Sequence, residues 1–118
     1  MVEIDRQEVI RQLERVLGRE IRLRRFIRWY FAEHHRVASF QANQRISGEA
    51  TLEQQVAASR SRPGAQVLGE LWLDLEEYRT EAERKRGEVG LNDEQLRERL
   101  RDRLRTLKDC VRVAARKP

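Results

Sequence analysis

Val67–Tyr78 reads VLGELWLDLEEY, and on a helix this stretch separates into two faces. One face is an apolar stripe, whose members recur at steps of three and four residues: Val67, Leu68, Leu71, Leu75 and Tyr78. Beside it runs a row of carboxylates, formed by Glu70, Asp74, Glu77 and Glu81. Like charges at this spacing repel by roughly 0.2–0.5 kcal/mol per pair, so helix stability does not explain the row. We therefore expect cationic groups against it, either elsewhere in the chain or on a partner.

The composition of the 118-residue chain favours a single all-α domain over residues 1–118. Helix formers dominate, Gly and Pro are few, and no run alternates apolar and polar residues over the length of a strand. The length suits one modest hydrophobic core. With 39% hydrophobic and 38% charged residues, the chain is polar but not depleted enough in apolar residues to predict disorder.

Hydrophobic periodicity predicts four helices in a small antiparallel four-helix bundle, at about 6–17, 21–35, 63–85 and 93–114. Residues 37–62 are rich in Ser, Ala, Gln and Gly, and this composition predicts an irregular or mobile connection. The pattern also allows a short fifth helix from about Thr51 to Ala58.

Capping signals support these helix bounds. Asp5, with Glu8 three residues on, predicts a capping box before the first apolar stripe, and Gly18 is a natural left-handed stop at the end of that helix. Asn92, with Gln95 three residues on, predicts a capping box for the last helix.

Trp29 lies opposite the predicted buried side of the second helix. Either a third element covers its ring, or the ring is exposed beside Arg25 at a binding surface, where Trp and Arg are enriched.

The sequence predicts neither a metal site nor a cofactor. Adjacent helical residues diverge by about 100°, so His34 and His35 cannot both ligate one ion without local unwinding. We interpret them as a helix-end pair, where a cationic imidazole suits the dipole. The single Cys110 excludes an intramolecular disulfide and a cysteine-based zinc site.

The net charge of +5 is distributed unevenly along the chain. Residues 67–94 hold nine acidic and four basic residues, whereas residues 95–118 hold three acidic and nine basic ones. Beside the apolar stripe of the last helix lies a basic row, formed by Arg97, Arg101, Arg105, Lys108 and Arg112. This row either meets the acidic row as boundary salt bridges, or faces solvent and follows a phosphate backbone.

Several function classes are disfavoured by the sequence. No Gly-rich phosphate loop, nucleophile motif or convergent acid/base pair is visible, so we do not expect an enzyme. No apolar run is long enough to span a membrane, and the N-terminus lacks the form of a signal peptide. We expect a cytoplasmic protein without membrane contact, and the sequence leaves its oligomeric state open.

Two stretches together resemble small immunity proteins related to the colicin D immunity protein. Residues 9–31 match the family's opening, with a helix of aliphatics, a short step at Gly18 and an aromatic at Phe26. Residues 67–104 are similar to a second family pattern, carried by Leu68, Leu71, Trp72, Asp74, Tyr78 and then Leu91, Asn92, Asp93, Glu94, Leu96 and Arg97.

The resemblance implies a four-helix bundle that binds the catalytic domain of a cognate toxin, typically an RNase that cuts tRNA. It also implies that acidic groups block the toxin's site, and the corresponding residues are Glu70, Asp74, Glu77, Glu81 and Glu88. Our leading hypothesis is therefore an immunity or antitoxin-like protein. The alternative is a nucleic-acid-binding helical module that uses the basic row, and a helical scaffold that uses Trp29 is a third hypothesis.

Overall fold

The computed structural model describes the backbone of residues 4–46 and 64–116, and the side chains of residues 4–37 and 64–113. Over these ranges the chain is helical apart from its connections, which confirms the all-α class. The described helices are α1 (Arg6–Leu17), α2 (Leu23–Ile46), α3 (Ala65–Glu77), α4 (Glu81–Lys85) and α5 (Asp93–Arg116). None of these helices combines the length and apolar character needed to cross a membrane.

The four longer helices pack around a shared core. Helix α5 contacts α1 and α3, and α2 contacts the same two helices. The predicted apolar stripes supply most of the core, whose fully buried side chains are Val9, Leu13, Val16, Phe26, Tyr30, Leu71, Leu96, Leu100 and Leu107. Burial of these stripes, rather than helix propensity alone, stabilises the arrangement.

Helix α2 is longer than its apolar pattern predicted. It continues to Ile46, so the prediction of a helix over 21–35 with an irregular connection from residue 37 is wrong for residues 37–46. No Gly or Pro occurs between Leu23 and Ile46, and each added helical residue gains a backbone hydrogen bond without a new nucleation cost. The rest of the predicted connection and the short helix at Thr51–Ala58 lie outside the described residues.

The predicted continuous helix over 63–85 is also wrong, because α3 ends at Glu77 and a separate short helix, α4, follows. Tyr78 takes an extended conformation and forms an isolated parallel bridge with Leu91. The Leu91 N–H donates to the Glu77 carbonyl oxygen at 2.8 Å, and the Arg79 N–H donates to the Leu91 carbonyl oxygen at 2.9 Å. These bonds stabilise the extended conformation at Tyr78, although the helical pattern of apolar residues continues to this position in the sequence.

Two local features fix this break. Thr80 and Glu83 form a capping box that starts α4, with the Glu83 N–H donating to Thr80 Oγ1 at 3.2 Å. At Gly90, an added Cβ would collide with the Glu77 carbonyl oxygen and with Arg79 Cγ. The close approach of the two backbone segments therefore requires a residue without a side chain.

The predicted capping box at Asn92 is confirmed, whereas at Asp5 only the N-cap is, because the Glu8 carboxylate accepts from Arg11 and Gln12 instead. Asp5 accepts hydrogen bonds from the N–H groups of Gln7 and Glu8. Asn92 and Gln95 exchange side chain–backbone bonds of 2.8 and 3.0 Å.

The left-handed stop after α1 lies one residue later than predicted. Gly18 has φ of −80°, and Arg19 takes the positive φ of 62°. The Arg19 N–H donates to the Val16 carbonyl oxygen and the Glu20 N–H to the Arg15 carbonyl oxygen, which is the Schellman pattern with Gly18 as the C-cap.

Candidate functional site on α3

The acidic row of α3 is partly neutralised inside the molecule. Arg103 on α5 donates from Nε to Asp74 Oδ2 at 2.7 Å and from Nη1 to Glu70 Oε2 at 2.7 Å. Arg99 donates from Nη1 to Asp74 Oδ1 at 3.1 Å. The Asp74 side chain is only 3% exposed, so it acts as a structural anchor between the helices. Its hydrogen bonds raise the pKa of the Arg103 guanidinium above its usual value.

The cations that meet the acidic row are not members of the predicted basic row. Glu70 and Asp74 are four residues apart on α3, and Arg99 and Arg103 are four residues apart on α5. Arg103 contacts both Glu70 and Asp74, whereas Arg99 contacts only Asp74. Because the later arginine reaches the earlier carboxylate, the two helices run antiparallel. The matched spacing was visible in the sequence, but nothing there indicated which side of the α5 stripe faces α3.

The predicted basic row is largely occupied by contacts within the chain. Arg97 is half-buried, donates to the Val16 carbonyl oxygen at 2.7 Å, and has its pKa lowered by burial. Lys108 contacts Glu14 at 3.1 Å. Each of two others pairs with an aspartate three residues earlier, Arg105 with Asp102 and Arg112 with Asp109. Arg101 is exposed and has no ion-pair partner among the described residues.

The remaining acids of the predicted toxin-binding set lie on the surface. Glu81 pairs with Lys85 at 3.4 Å, and Glu88 contacts Arg79 and Arg86 at 3.8 and 3.4 Å. Exposed pairs of this kind contribute little and exchange readily with other partners.

Glu77 differs from these acids, because its side chain is exposed and has no partner in the described part of the chain. Glu76 is likewise exposed and without a partner among the described residues, and it could not be singled out from the sequence because it lies outside the row of carboxylates. Helix α3 carries no basic residue, so nothing on the helix itself neutralises these two charges.

Next to these acids, an apolar groove of about 1140 Å³ lies between α2 and α3. Its walls include Phe31, His34, His35, Gly69, Trp72 and Leu73. The rings of Phe31 and Trp72 meet at a centroid distance of 4.4 Å, and the Leu73 side chain is 59% exposed. Glu76 and Glu77 follow Leu73 by three and four residues, which places them along the helix beside the groove. We call the groove together with Glu76 and Glu77 the α3 outer face.

His34 lies at the inner wall of this groove and not at a helix end. Since α2 continues to Ile46, the predicted helix-end pair of His34 and His35 is wrong. The His34 ring packs edge-on against Tyr30 and Trp72, with centroid distances of 4.6 and 4.8 Å. Its Nε2 is buried and has no hydrogen-bond partner among the described residues, and burial lowers the pKa of the imidazole.

Replacing His34 with phenylalanine is expected to reduce the loss of stability in mild acid. Below pH about 6.5 the unfolded chain protonates His34, whereas the folded chain does so only at lower pH, so wild-type stability falls as the pH drops. After discounting for partial solvent exposure, we expect at most about 1 kcal/mol between pH 7.5 and 5.5. Urea unfolding at both pH values measures this effect, and His35→Phe is the exposed control. An unchanged pH dependence in His34→Phe would contradict it.

Trp29, which the sequence placed away from the core, is half-buried. Its ring lies 6.0 Å from Phe26 and 6.3 Å from Tyr30, measured between centroids. The Tyr30 hydroxyl donates to the Leu68 carbonyl oxygen at 2.7 Å, which ties this aromatic layer of α2 to α3. The same layer therefore positions the inner wall of the groove.

Comparison of the chain with models of protein families, with curated proteins and with solved structures finds no match. The α3 outer face is therefore interpreted from its own chemistry. It combines an apolar centre with carboxylates that pair with no cation among the described residues, and this combination fits a partner surface that presents apolar and basic groups together.

Proposed function

We propose that the chain is an immunity-like protein that acts in the cytoplasm by binding and inhibiting a cognate bacterial toxin, a nuclease of the tRNA-cutting class. The α3 outer face is the binding surface. The observation that carries this proposal is that Glu76 and Glu77, which have no partner in the described part of the chain, lie beside an apolar groove. The sequence resemblance to small immunity proteins supports the same function.

The apolar part of the face has the composition of a binding centre. Interface energy concentrates in a few large side chains, Trp among them, surrounded by polar groups. Trp72 and Leu73 are adjacent on α3, and Gly69 one turn earlier leaves space above the helix backbone, since an added Cβ there would touch nothing within 4 Å. A partner side chain can therefore enter next to the two large residues.

The charged part of the face suits the substrate groove of a nuclease. Such a groove binds phosphates and is basic, so carboxylates can occupy it in their place. Glu77 is the member of the predicted toxin-binding row that has no partner within the described ranges, and Glu76 adds a second charge beside it. Glu81 and Glu88 extend the acidic surface through exchangeable pairs, whereas Glu70 and Asp74 hold the scaffold.

The scaffold we propose is an antiparallel four-helix bundle of α1, α2, α3 and α5. Each of these helices contacts two of the others, which is the neighbour pattern of a bundle. The crossed ion pairs of Glu70 and Asp74 with Arg103 and Arg99 support the antiparallel arrangement of α3 and α5.

The function is tested by capture followed by a toxicity assay. The tagged chain is used to capture proteins from nuclease-treated lysate of the source cell, and each captured protein is then expressed alone and together with the chain. We expect one captured protein to arrest growth when alone and to be harmless when the chain is present. If no captured protein arrests growth, or if co-expression gives no relief, the proposed function is wrong.

A nucleic-acid-binding function is the second candidate. The basic row of α5 gives it some support, because Arg97 is held by the Val16 carbonyl oxygen whereas Arg105, Lys108 and Arg112 form exposed ion pairs that exchange readily. The observation that favours nucleic acid is a different group of arginines, at the start of α2.

A further inference from the structure

Five exposed arginines cluster where α1 turns into α2. They are Arg19, Arg22, Arg24, Arg25 and Arg28, and we call them the arginine corner. None of them forms an ion pair with any residue in the described ranges 4–37 and 64–113. The nearest acid in sequence, Glu20, is directed to Arg15, with a distance of 3.7 Å between Arg15 Nε and Glu20 Oε2. The corner therefore presents five guanidinium groups that have no carboxylate partner among the described residues.

The arginines at the start of α2 do not stabilise the helix. Arg24 and Arg25 lie in the first turn of α2, which contains no acidic residue. The N-terminal end of a helix carries partial positive charge, so cations there are disfavoured by a few tenths of a kcal/mol or more each. Arg24 and Arg28 are also four residues apart, a spacing at which like charges repel. An anion bound at this corner would offset both the repulsion by the helix dipole and the repulsion between Arg24 and Arg28.

The arginines surround two adjoining clefts. One, of about 610 Å³, is lined by Arg22, Arg24, Arg25 and Arg28 together with Glu20 and Ile21. The other, of about 230 Å³, shares Arg22 and Arg24 and adds Arg97 and the hydrogen-bonded pair of Tyr78 and Asp93. Burial and then the neighbouring charge of Arg19 lower the pKa of Arg97, so positive charge is already crowded there.

We propose that the arginine corner binds the phosphodiester backbone of a nucleic acid. Guanidinium groups pair with phosphate oxygens in a bidentate fashion. Residues 22–28 span about 9 Å of helix, which matches two or three phosphates of one strand. Backbone contacts of this kind need no exposed apolar anchor. At the corner Ile21, Leu23 and Phe26 are buried, and Trp29 and Tyr78 are only partly exposed.

The absence of an exposed apolar anchor in the corner, as far as the described residues go, argues against two other anionic partners. A membrane surface is bound more firmly when apolar side chains insert beside the basic ones. A protein partner likewise requires a desolvated apolar centre. The exposed large hydrophobic residues of the described chain, Leu73, Val89 and Val113, all lie outside the corner. This proposal stands apart from the toxin-binding function and uses a different surface.

The test is fluorescence anisotropy with a labelled single-stranded RNA oligonucleotide at 50 and 200 mM salt. Two or three phosphate contacts predict an affinity that falls roughly 7- to 20-fold between these concentrations. Arg25→Glu/Arg28→Glu is expected to weaken binding at least about tenfold at 50 mM salt. Arg11→Glu/Arg36→Glu is the matched control, since it changes the net charge equally and alters exposed arginines outside both the corner and the basic row of α5. The control is expected to bind almost as the wild type does.

Three results would overturn the proposal. The first is no binding at 50 mM salt by wild-type protein that circular dichroism shows to be folded. The second is an equal loss of affinity in the two double variants, which would assign binding to overall charge. The third is binding to vesicles of anionic lipid without binding to the oligonucleotide. Toxin neutralisation by the corner variant, measured in parallel, is expected to be unchanged.

Discussion

Replacing Asp74 with alanine is expected to lower the free energy of unfolding by about 3 kcal/mol. The substitution removes the carboxylate that accepts hydrogen bonds from Arg99 and Arg103 and leaves the half-buried Arg103 guanidinium with Glu70 alone. Removing one partner of a buried pair costs more than the pair itself contributes, because the other charge stays desolvated. Urea unfolding at neutral pH measures the change.

Glu77→Ala is the matched control for this experiment. Glu77 lies one turn further along α3, is also an acid, and has no partner in the described chain. Its substitution is expected to change stability by less than about 0.5 kcal/mol. Equal effects of the two substitutions would contradict the assignment of Asp74 to the scaffold. By the same argument, a loss of toxin binding in Asp74→Lys would reflect loss of the fold and not a direct contact of Asp74 with the toxin.

The double variant Glu76→Lys/Glu77→Lys is expected to weaken toxin binding at least about 100-fold while the fold is retained. It places two cations against a basic surface, and like charges facing each other across an interface cost several kcal/mol. Both side chains are exposed, so stability is expected to change little. Calorimetric titration of the captured toxin measures the affinity, and a urea curve checks the fold.

Glu94→Lys/Glu98→Lys supplies the control for net charge. Both residues are exposed on α5, have no ion-pair partner among the described residues, and change the charge by the same amount. This variant is expected to bind within about threefold of the wild type, because only long-range steering changes. If the two double variants lose equal affinity, binding depends on total charge and not on the α3 outer face.

The sequence predicted the features of the fold that depend on local patterns. The apolar stripes, the all-α class and the caps at Asp5 and Asn92 follow from residues three or four apart. It failed where distant contacts override the local pattern. The periodicity of α3 continues past Tyr78, but backbone bonds to Leu91 end the helix, and Gly90 permits that approach. No local signal links positions 78 and 91.

The candidate site was only partly predicted, for a similar reason. The acidic row correctly indicated that cations lie against α3, and Arg103 is one of them. Which carboxylates stay free depends on the rotation of α5 about its axis. The sequence pattern pointed to the basic row, which lies on the other side of the apolar stripe of α5 from Arg99 and Arg103. The apolar groove could not be predicted, since it forms only when α2 and α3 meet. The ion pairs between α3 and α5 identify Glu70 and Asp74 as structural acids, whereas Glu76 and Glu77 have no partner among the described residues.

Carbodiimide labelling of carboxyl groups, read out by mass spectrometry, tests this division of α3 most directly. In the free protein we expect Glu76 and Glu77 to be labelled and Asp74 to be protected, because Asp74 is buried under Arg99 and Arg103. In the toxin complex Glu76 and Glu77 should become protected while Glu94 and Glu98 stay reactive. Ready labelling of Asp74 in the free protein, or unchanged labelling of Glu76 and Glu77 in the complex, would contradict the account.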